Sequence, residues 1–350
     1  MGTITHLARK TIQQLVPYSS ARLESMQDGI HLDANESPFE RADGLNRYPY
    51  PQPILLRQMF AEMYGVDPSQ LLMTRGSDEG IDLLSRVFCE ANEDAIIITP
   101  PTYGMYEVAA KIQGLRIIKI PLKQDTGFTL NTDSILSQRN SAIKLIFLCS
   151  PNNPTGNVLN RDDVLTLCKI FQNQALVVLD EAYIEFATIK SLSHFVSQYP
   201  NLVILRTLSK AFGLAGARLG ALIANQEIIE FLMKVIAPYP IPIPVERIAI
   251  NALSVNNQAI VRSQIHTIRR EREKLQTFLT TLPSVDCVYP SQANFVLVKV
   301  REASKWMDTC KAHQIILRSR VCLPELQNCV RITIGTAEEN ERLKEVLSYV

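Results

Sequence analysis

The chain has no Cys-x-x-Cys pair, no long apolar run and almost no net charge, and each absence closes off a class of function. Its seven cysteines (Cys89, Cys149, Cys168, Cys287, Cys310, Cys322 and Cys329) are an odd number with irregular spacing. A zinc site needs closely spaced ligand pairs and a secreted framework needs paired thiols, so neither is expected. In segments such as FLCSP and TLCKIF the thiols read as small buried hydrophobes of a reduced, cytoplasmic protein. Net charge is +1, from 36 Lys and Arg against 35 Asp and Glu, which leaves no electrostatic footprint for nucleic acid or an anionic membrane. RREREK, at 269–274, mixes its signs and reads as a solvated helix face. No apolar run approaches the roughly eighteen residues that span a bilayer. The uncharged stretch 235–245 is interrupted by Pro238, Pro240, Pro242 and Pro244. MGTITHLARK lacks a signal-peptide core, and His6 stands where myristoylation requires Ser or Thr. Neither G-x-G-x-x-G nor G-K-[ST] occurs in a nucleotide-binding context. No metal site is expected.

What is present is concentrated in residues 201–220, NLVILRTLSKAFGLAGARLG. An apolar run reads as a buried strand, with Thr207, Ser209 and Lys210 at its end and Arg218 eight residues beyond the lysine. Ligands of open α/β sheets sit outside the carboxyl ends of the strands. Hydroxyls and a guanidinium suit a phosphate, and a lysine beside them suits a carbonyl. Pyridoxal phosphate carries both groups. Taken alone, Lys210 reads as an exposed surface lysine.

The flanking pattern places that strand in an α/β fold. The segment 46–53, NRYPYPQP, reads as extended and on the surface; a helix follows over 54–64, stopped by Gly65. TRGSDE, at 74–79, opens another. Strands are expected at 95–99, 115–120, 144–149, 176–180, 202–206 and 219–224, with helices at 103–112 and 161–172. Strands that are apolar without alternation belong to parallel sheets covered on both faces, so the expectation is a mostly parallel central sheet flanked by helices. Beyond the prolines, Val261, Ile265, Ile268, Leu275, Leu279 and Leu282 recur at helical spacing. Strands at 294–300, near 315–318 and at 329–334 follow, with a helix at 302–312. A last helix is capped by the Thr336–Glu339 box. The expected organisation is an N-terminal arm (1–45) joining the smaller domain, a large domain (46–240) and a smaller α/β domain (241–350).

Three further strand-end loops carry polar groups. Asn153 in SPNNPTGN offers an amide to a ligand or closes an Asx-turn. Asp180 in VVLDEAY is costly to bury without a cation; a pyridinium nitrogen would serve, and a helix cap is the alternative. Gly76, Ser77 and Asp78 stand at a helix start, where free N–H groups favour a phosphate. Tyr103 in PPTYGMY reads as a ring-stacking side chain or as core.

In this order and spacing the segments resemble the fold-type I, pyridoxal-phosphate-dependent aminotransferases over nearly the whole chain. ANESP, NRYPYPQP, RGSDEGIDLL, PPTYGMY, SPNNPTGN, LDEAYIEF, RTLSKAFGLAGARLG and VRITIGT resemble, more narrowly, the histidinol-phosphate aminotransferase family. The resemblance implies Lys210 as the Schiff-base lysine and proton shuttle and Asp180 as partner of the pyridine nitrogen. It implies Asn153 and Tyr183 at the ring oxygen and Tyr103 stacked on the ring. Gly76, Ser77, Asp78, Ser209 and Arg218 would surround the cofactor phosphate, with Tyr48 reaching it from the second subunit of a homodimer. Arg331 would take the substrate carboxylate, and Tyr18 and Arg318 the substrate phosphate, with Arg320 the alternative in register. The implied reaction is transamination between L-histidinol phosphate and 2-oxoglutarate, giving imidazole acetol phosphate and L-glutamate in L-histidine biosynthesis. An aromatic amino-acid aminotransferase and a phosphoamino-acid decarboxylase of the same fold are the rival readings. A non-catalytic regulator would need a DNA-binding module, for which the residues before ANESP are too few.

Overall fold

In the computed structural model, which describes residues 4–20, 29–320 and 324–350, seven strands form the large sheet. They are β1 (Leu71–Thr74), β2 (Ala95–Ile98), β3 (Arg116–Lys119), β4 (Ile143–Cys149), β5 (Leu176–Asp180), β6 (Leu202–Thr207) and β7 (Gly220–Ile223). Their order is β1-β7-β6-β5-β4-β2-β3. Pairing is parallel from β3 through β2, β4 and β5 to β6, whereas β7 runs antiparallel to both β6 and β1. β5 and β6 are buried along their whole length because both faces are covered. Val177 and Leu179 point into one core, with the helices Ile54–Tyr64, Arg161–Phe171 and Ile243–Ala252. Leu176 and Val178 point into the other, with Ser77–Phe88, Met105–Ile112 and Gln226–Met233. Side chains alternating across a strand explain why near-continuous apolar runs are required.

A second sheet of four antiparallel strands follows: β8 (Val285–Tyr289), β9 (Phe295–Val300), β10 (Arg318–Ser319) and β11 (Cys329–Thr333), in the order β10-β11-β9-β8. The helices Val255–Leu279, Ala303–Ala312 and Ala337–Leu347 cover it around Leu275, Trp306 and Leu343. The Thr336–Glu339 capping box forms as its spacing requires.

Several elements differ from the sequence-based expectation. β1, β8 and the helices Gln226–Met233 and Ile243–Ala252 had no expected counterpart; β1 and β8 are short edge strands, the hardest kind to see in a pattern. The strand expected near 315–318 is only the pair Arg318–Ser319. The N-terminal arm, expected to join the smaller domain, instead packs Ile4, Leu7 and Ala8 into the large-sheet core with Phe88 and Phe231. Ile241, Ala249 and Leu253, beyond the proline run, also pack under the large sheet. Cys89, Cys149, Cys168, Cys310 and Cys329 are buried and Cys287 is exposed; Cys322 lies outside the described residues.

NRYPYPQP was expected to be surface, but only its first half is. Pro51, Gln52 and Pro53 are buried, because the Gln52 amide acts as a strand partner for β1. Its Nε2 donates to the Met73 carbonyl at 3.2 Å and its Oε1 accepts from the Met73 N–H at 2.7 Å. Gln52→Ala strips the partners from both backbone groups of buried Met73 and should cost about 2 kcal/mol of unfolding free energy. Urea denaturation measures this, and a loss within error of zero would show that water replaces the amide.

Candidate active site

The carboxyl ends of β4, β5 and β6 open into a cavity of about 710 Å³. Ser77, Asp78, Tyr103, Asn153, Asp180, Tyr183, Ser209, Lys210, Arg218, Arg318 and Arg331 all line it, together with Arg320. Residues scattered over more than 250 positions of sequence thus meet, most of them from strand ends and a helix start at one edge of the large sheet and the arginines from β10 and β11 of the second. Tyr18 and Tyr48 do not reach this cavity within the chain. Tyr18 is exposed and lines two separate clefts beside Met233 and Lys234; Tyr48 stacks on Tyr239 with ring centroids 4.6 Å apart.

One wall is a cradle at the start of the helix Ser77–Phe88. Gly76 adopts φ 76°, a conformation that favours glycine, and its missing Cβ, which would lie 2.8 Å from Arg218 Nη2, leaves the guanidinium room over the helix start. Arg218 Nη1 donates to Ser209 Oγ at 3.4 Å, and Nη2 to Asp78 Oδ2 at 3.3 Å. Asp78 Oδ1 accepts from the Tyr103 hydroxyl at 3.0 Å. Free helix N–H groups, a hydroxyl and a guanidinium therefore converge, a set suited to a phosphate.

The floor is Asp180, the last residue of β5 and only 3% exposed. Its Oδ2 accepts from the Tyr106 hydroxyl at 2.8 Å and its Oδ1 from the Ala182 N–H at 3.0 Å. Burial pushes its pKa up to about 6, against the pull of those two donors. Such a carboxylate, still facing a cavity, favours a cationic ligand. Lys210 remains accessible in the open cavity, yet desolvation by its walls, then Arg331 and Arg218, lower its pKa. Its Nζ lies 5.6 Å from the centre of the Tyr183 ring.

The second sheet contributes the far wall. Arg331 of β11 is the register partner of Arg318 of β10. It crosses to the large sheet, where Nη1 donates to Asn153 Oδ1 at 2.5 Å. The amide of Asn153 is thereby oriented, and its Nδ2 donates to the Tyr183 hydroxyl at 3.4 Å. Burial, then the facing charge of Arg318, lower the Arg331 pKa, while Tyr183 opposes them. Sequence reasoning did not single out Tyr106. Its signal was a second tyrosine in PPTYGMY, three residues after Tyr103, whose ring it meets edge-on.

A strand-end lysine and a buried carboxylate beside an anion cradle define a class of cofactor enzyme, and comparison with known proteins places the chain in it. Residues 20–347 match the family model of class I and II aminotransferases, and the chain belongs to that family of pyridoxal-phosphate-dependent transaminases. The histidinol-phosphate aminotransferase 1 of Pasteurella multocida is 45% identical over 353 residues, covering 99% of each chain. The histidinol-phosphate aminotransferase of Escherichia coli (strain 55989 / EAEC) is 43% identical over 350 residues, covering 99% of this chain and 98% of its own. Among solved structures, the histidinol-phosphate aminotransferase of Clostridium acetobutylicum superposes with a TM-score of 0.79 at 24% identity, over 87% of this chain and 90% of that one. An L-threonine-O-3-phosphate decarboxylase from Porphyromonas gingivalis gives 0.73 at 23% identity, over the same shares. At those identities the likeness is one of fold. No helix among the described residues is long and apolar enough to cross a membrane.

The pKa of Asp180 carries a stability consequence. Its folded value of about 6 lies above the ordinary 3.8, so between these values the native state holds the extra proton and stability falls as pH rises. Above the window the full penalty remains, on the order of 2–3 kcal/mol. The cofactor-free Asp180→Asn variant should therefore be more stable than the native apoprotein near neutral pH, with the gap closing towards about pH 4. Denaturation curves at several pH values test this; a pH-independent gap would mean that the carboxylate is not strained by burial.

Proposed function

We propose that the chain transfers the amino group of L-histidinol phosphate to 2-oxoglutarate, giving imidazole acetol phosphate and L-glutamate in L-histidine biosynthesis. We place this activity in the cytoplasm, in a homodimer. The observation that carries the substrate assignment is the pair Arg318 and Arg331, register partners on β10 and β11 that both line the cavity. A single arginine suffices for an α-carboxylate, so the excess of cationic forks suits a second, phosphate-bearing substrate. The similarity to histidinol-phosphate aminotransferases along the full chain supports the same reading.

The residues fit pyridoxal phosphate. Gly76, Ser77, Asp78, Ser209 and Arg218 make the phosphate cradle, and Asp180 offers a buried anion for the ring nitrogen. Asn153 and Tyr183 present donors for the ring oxygen, and Tyr103 lies beside the cradle for stacking. When bound, the cofactor supplies an electron sink for the charge left at the substrate α-carbon. Asp180, in an environment that favours a cation beside it, keeps that sink effective. Lys210 carries the cofactor and then moves the α-proton at its Nζ, which is eased by a lowered pKa that leaves more neutral amine near neutral pH. Arg331, already bonded to Asn153, ties the carboxylate site to the ring site.

Arg318 and Arg331 should separate the two half-reactions. Charge-assisted bonds are worth roughly 1.5–3 kcal/mol, so Arg318→Ala should weaken histidinol phosphate about ten- to a hundredfold and glutamate far less. Arg331→Ala should damage both. Single-turnover kinetics with histidinol phosphate, histidinol, phenylalanine and glutamate as donors decide the matter. Phenylalanine used as readily as histidinol phosphate would leave an aminotransferase of a different substrate class.

The homodimer rests on Tyr48 and on apolar side chains left open on the N-terminal arm, among them Ile30, Leu32 and Phe39. Area of this kind is normally covered by a partner, and a two-fold pairing is the commonest solution. Tyr48 would then complete the phosphate cradle of the second subunit, and Tyr18 would serve the substrate phosphate in the assembled enzyme. Mixing Tyr48→Phe subunits with Lys210→Ala subunits should restore activity above either variant alone; no recovery would rule out the shared site.

A further inference from the structure

Tyr106 is fully buried on the helix Met105–Ile112. Its ring stacks on Phe147 of β4, with centroids 4.9 Å apart and planes 7° from parallel, and meets Tyr103 edge-on at 5.7 Å. A buried phenol needs a partner for its hydroxyl. Here the O–H donates to Asp180 Oδ2 while the Ala182 N–H donates to Oδ1. Each carboxylate oxygen thus has one fixed donor, and the group cannot turn about its own axis without breaking both bonds.

The geometry points to Tyr106 as a positioning residue of the transamination site, its phenol, aligned by Phe147, holding the Asp180 carboxylate ionised and fixed in rotation towards the cavity. This rests on the reading of Asp180 as partner of the cofactor ring nitrogen. Asp180 lines the cavity and Tyr106 does not, so Tyr106 acts only through the carboxylate. A neutral donor favours the ionised acid without cancelling its charge, which an arginine or lysine in the same place would do. Burial and then Asp180 itself push the Tyr106 pKa well above that of an ordinary phenol, so it stays a donor over the working pH range. The other groups facing Asp180 are Asp78, which opposes its ionisation, and Lys210, which favours it. Cys149, Tyr103 and Tyr183 are also near and are kept neutral, chiefly by burial.

Cofactor binding to the apoenzyme, followed by fluorescence as a function of pH, provides a readout independent of turnover. Tyr106→Phe keeps the stack and removes the donor. It should weaken pyridoxal phosphate about ten- to a hundredfold near neutral pH, with the acid limb of the affinity profile displaced to higher pH. Asp180→Asn should be at least as weak, and adding Tyr106→Phe to it should cost nothing more. As a control on folding, 3-fluorotyrosine at position 106 is nearly isosteric and a stronger donor, and should move the acid limb to lower pH. If Tyr106→Phe binds like the native protein, or its loss persists undiminished beside Asp180→Asn, Tyr106 is packing alone. A fluorotyrosine limb that stays put or moves up likewise leaves Tyr106 a packing residue. Native affinity in Asp180→Asn would overturn the assignment of Asp180 itself, and this proposal with it.

Discussion

Burying a carboxylate costs several kcal/mol unless a cation or a set of donors answers it, and at Asp180 the elements flanking the sheet supply donors and leave one side open to the cavity. The residue ends β5, a central strand, so it cannot swing out to solvent without unpairing from β4 and β6. Its two donors come from different elements, a helix phenol and the backbone just past the strand. The fold thereby holds a charged group where only a ligand can complete its solvation. The neighbouring features follow from this placement: Lys210 leaves β6 beside it, and Asn153 follows β4 on its other side.

The second sheet is coupled to this arrangement by a few directed bonds. Arg331 reaches Asn153 from β11, and Tyr183 meets Phe295 of β9 edge-on at 5.2 Å. Arg272 of the helix Val255–Leu279 donates to the Ala293 carbonyl at 2.8 Å, and Arg269 of the same helix donates to the carbonyls of Glu185 and Phe186 at 2.9 and 3.0 Å. The segment carrying Tyr183 is therefore gripped by a helix of the second sheet's layer. An anion engaging Arg331 would act on Asn153 and Tyr183 together, coupling the second sheet's wall to the large-sheet side of the cavity.

Most of this was legible in the sequence where a residue's role is fixed by its place at a strand end. Asp180 ends one apolar run that reads as a buried strand, Lys210 follows a second and Arg218 precedes a third, and the structure gathers all three around one cavity. The edge of the small sheet was not legible, because a two-residue strand has no periodicity; it is defined by the pairing of Arg318 with Arg331 and of Ser319 with Val330. Gln52 was hidden by its prolines, which signal an exposed segment, while its amide substitutes for a strand. Tyr48 and Tyr18 lie outside the cavity of their own chain, and no pattern within one chain encodes what a neighbour would cover.

The pair Asp180–Glu181 shows why composition alone could not separate function from framework. Both acids are buried, and burial raises the pKa of each. Successive side chains of a strand end face opposite ways, and their fates diverge accordingly. Glu181 accepts from Ser191 Oγ at 2.5 Å and from the Leu192 N–H at 2.8 Å, and Arg206 lies 3.6 Å away. Arg206 is itself 2.8 Å from Glu185 and packed over the Tyr64 ring at 4.3 Å. On that face a guanidinium within the chain answers the carboxylates of Glu181 and Glu185. On the other face Asp180 receives a phenol and an amide, neither of which carries charge. Both acids have neutral donors; the difference is the guanidinium of Arg206 standing beside Glu181, whereas Asp180 faces the cavity with an electrostatic demand that a protonated ring nitrogen would meet.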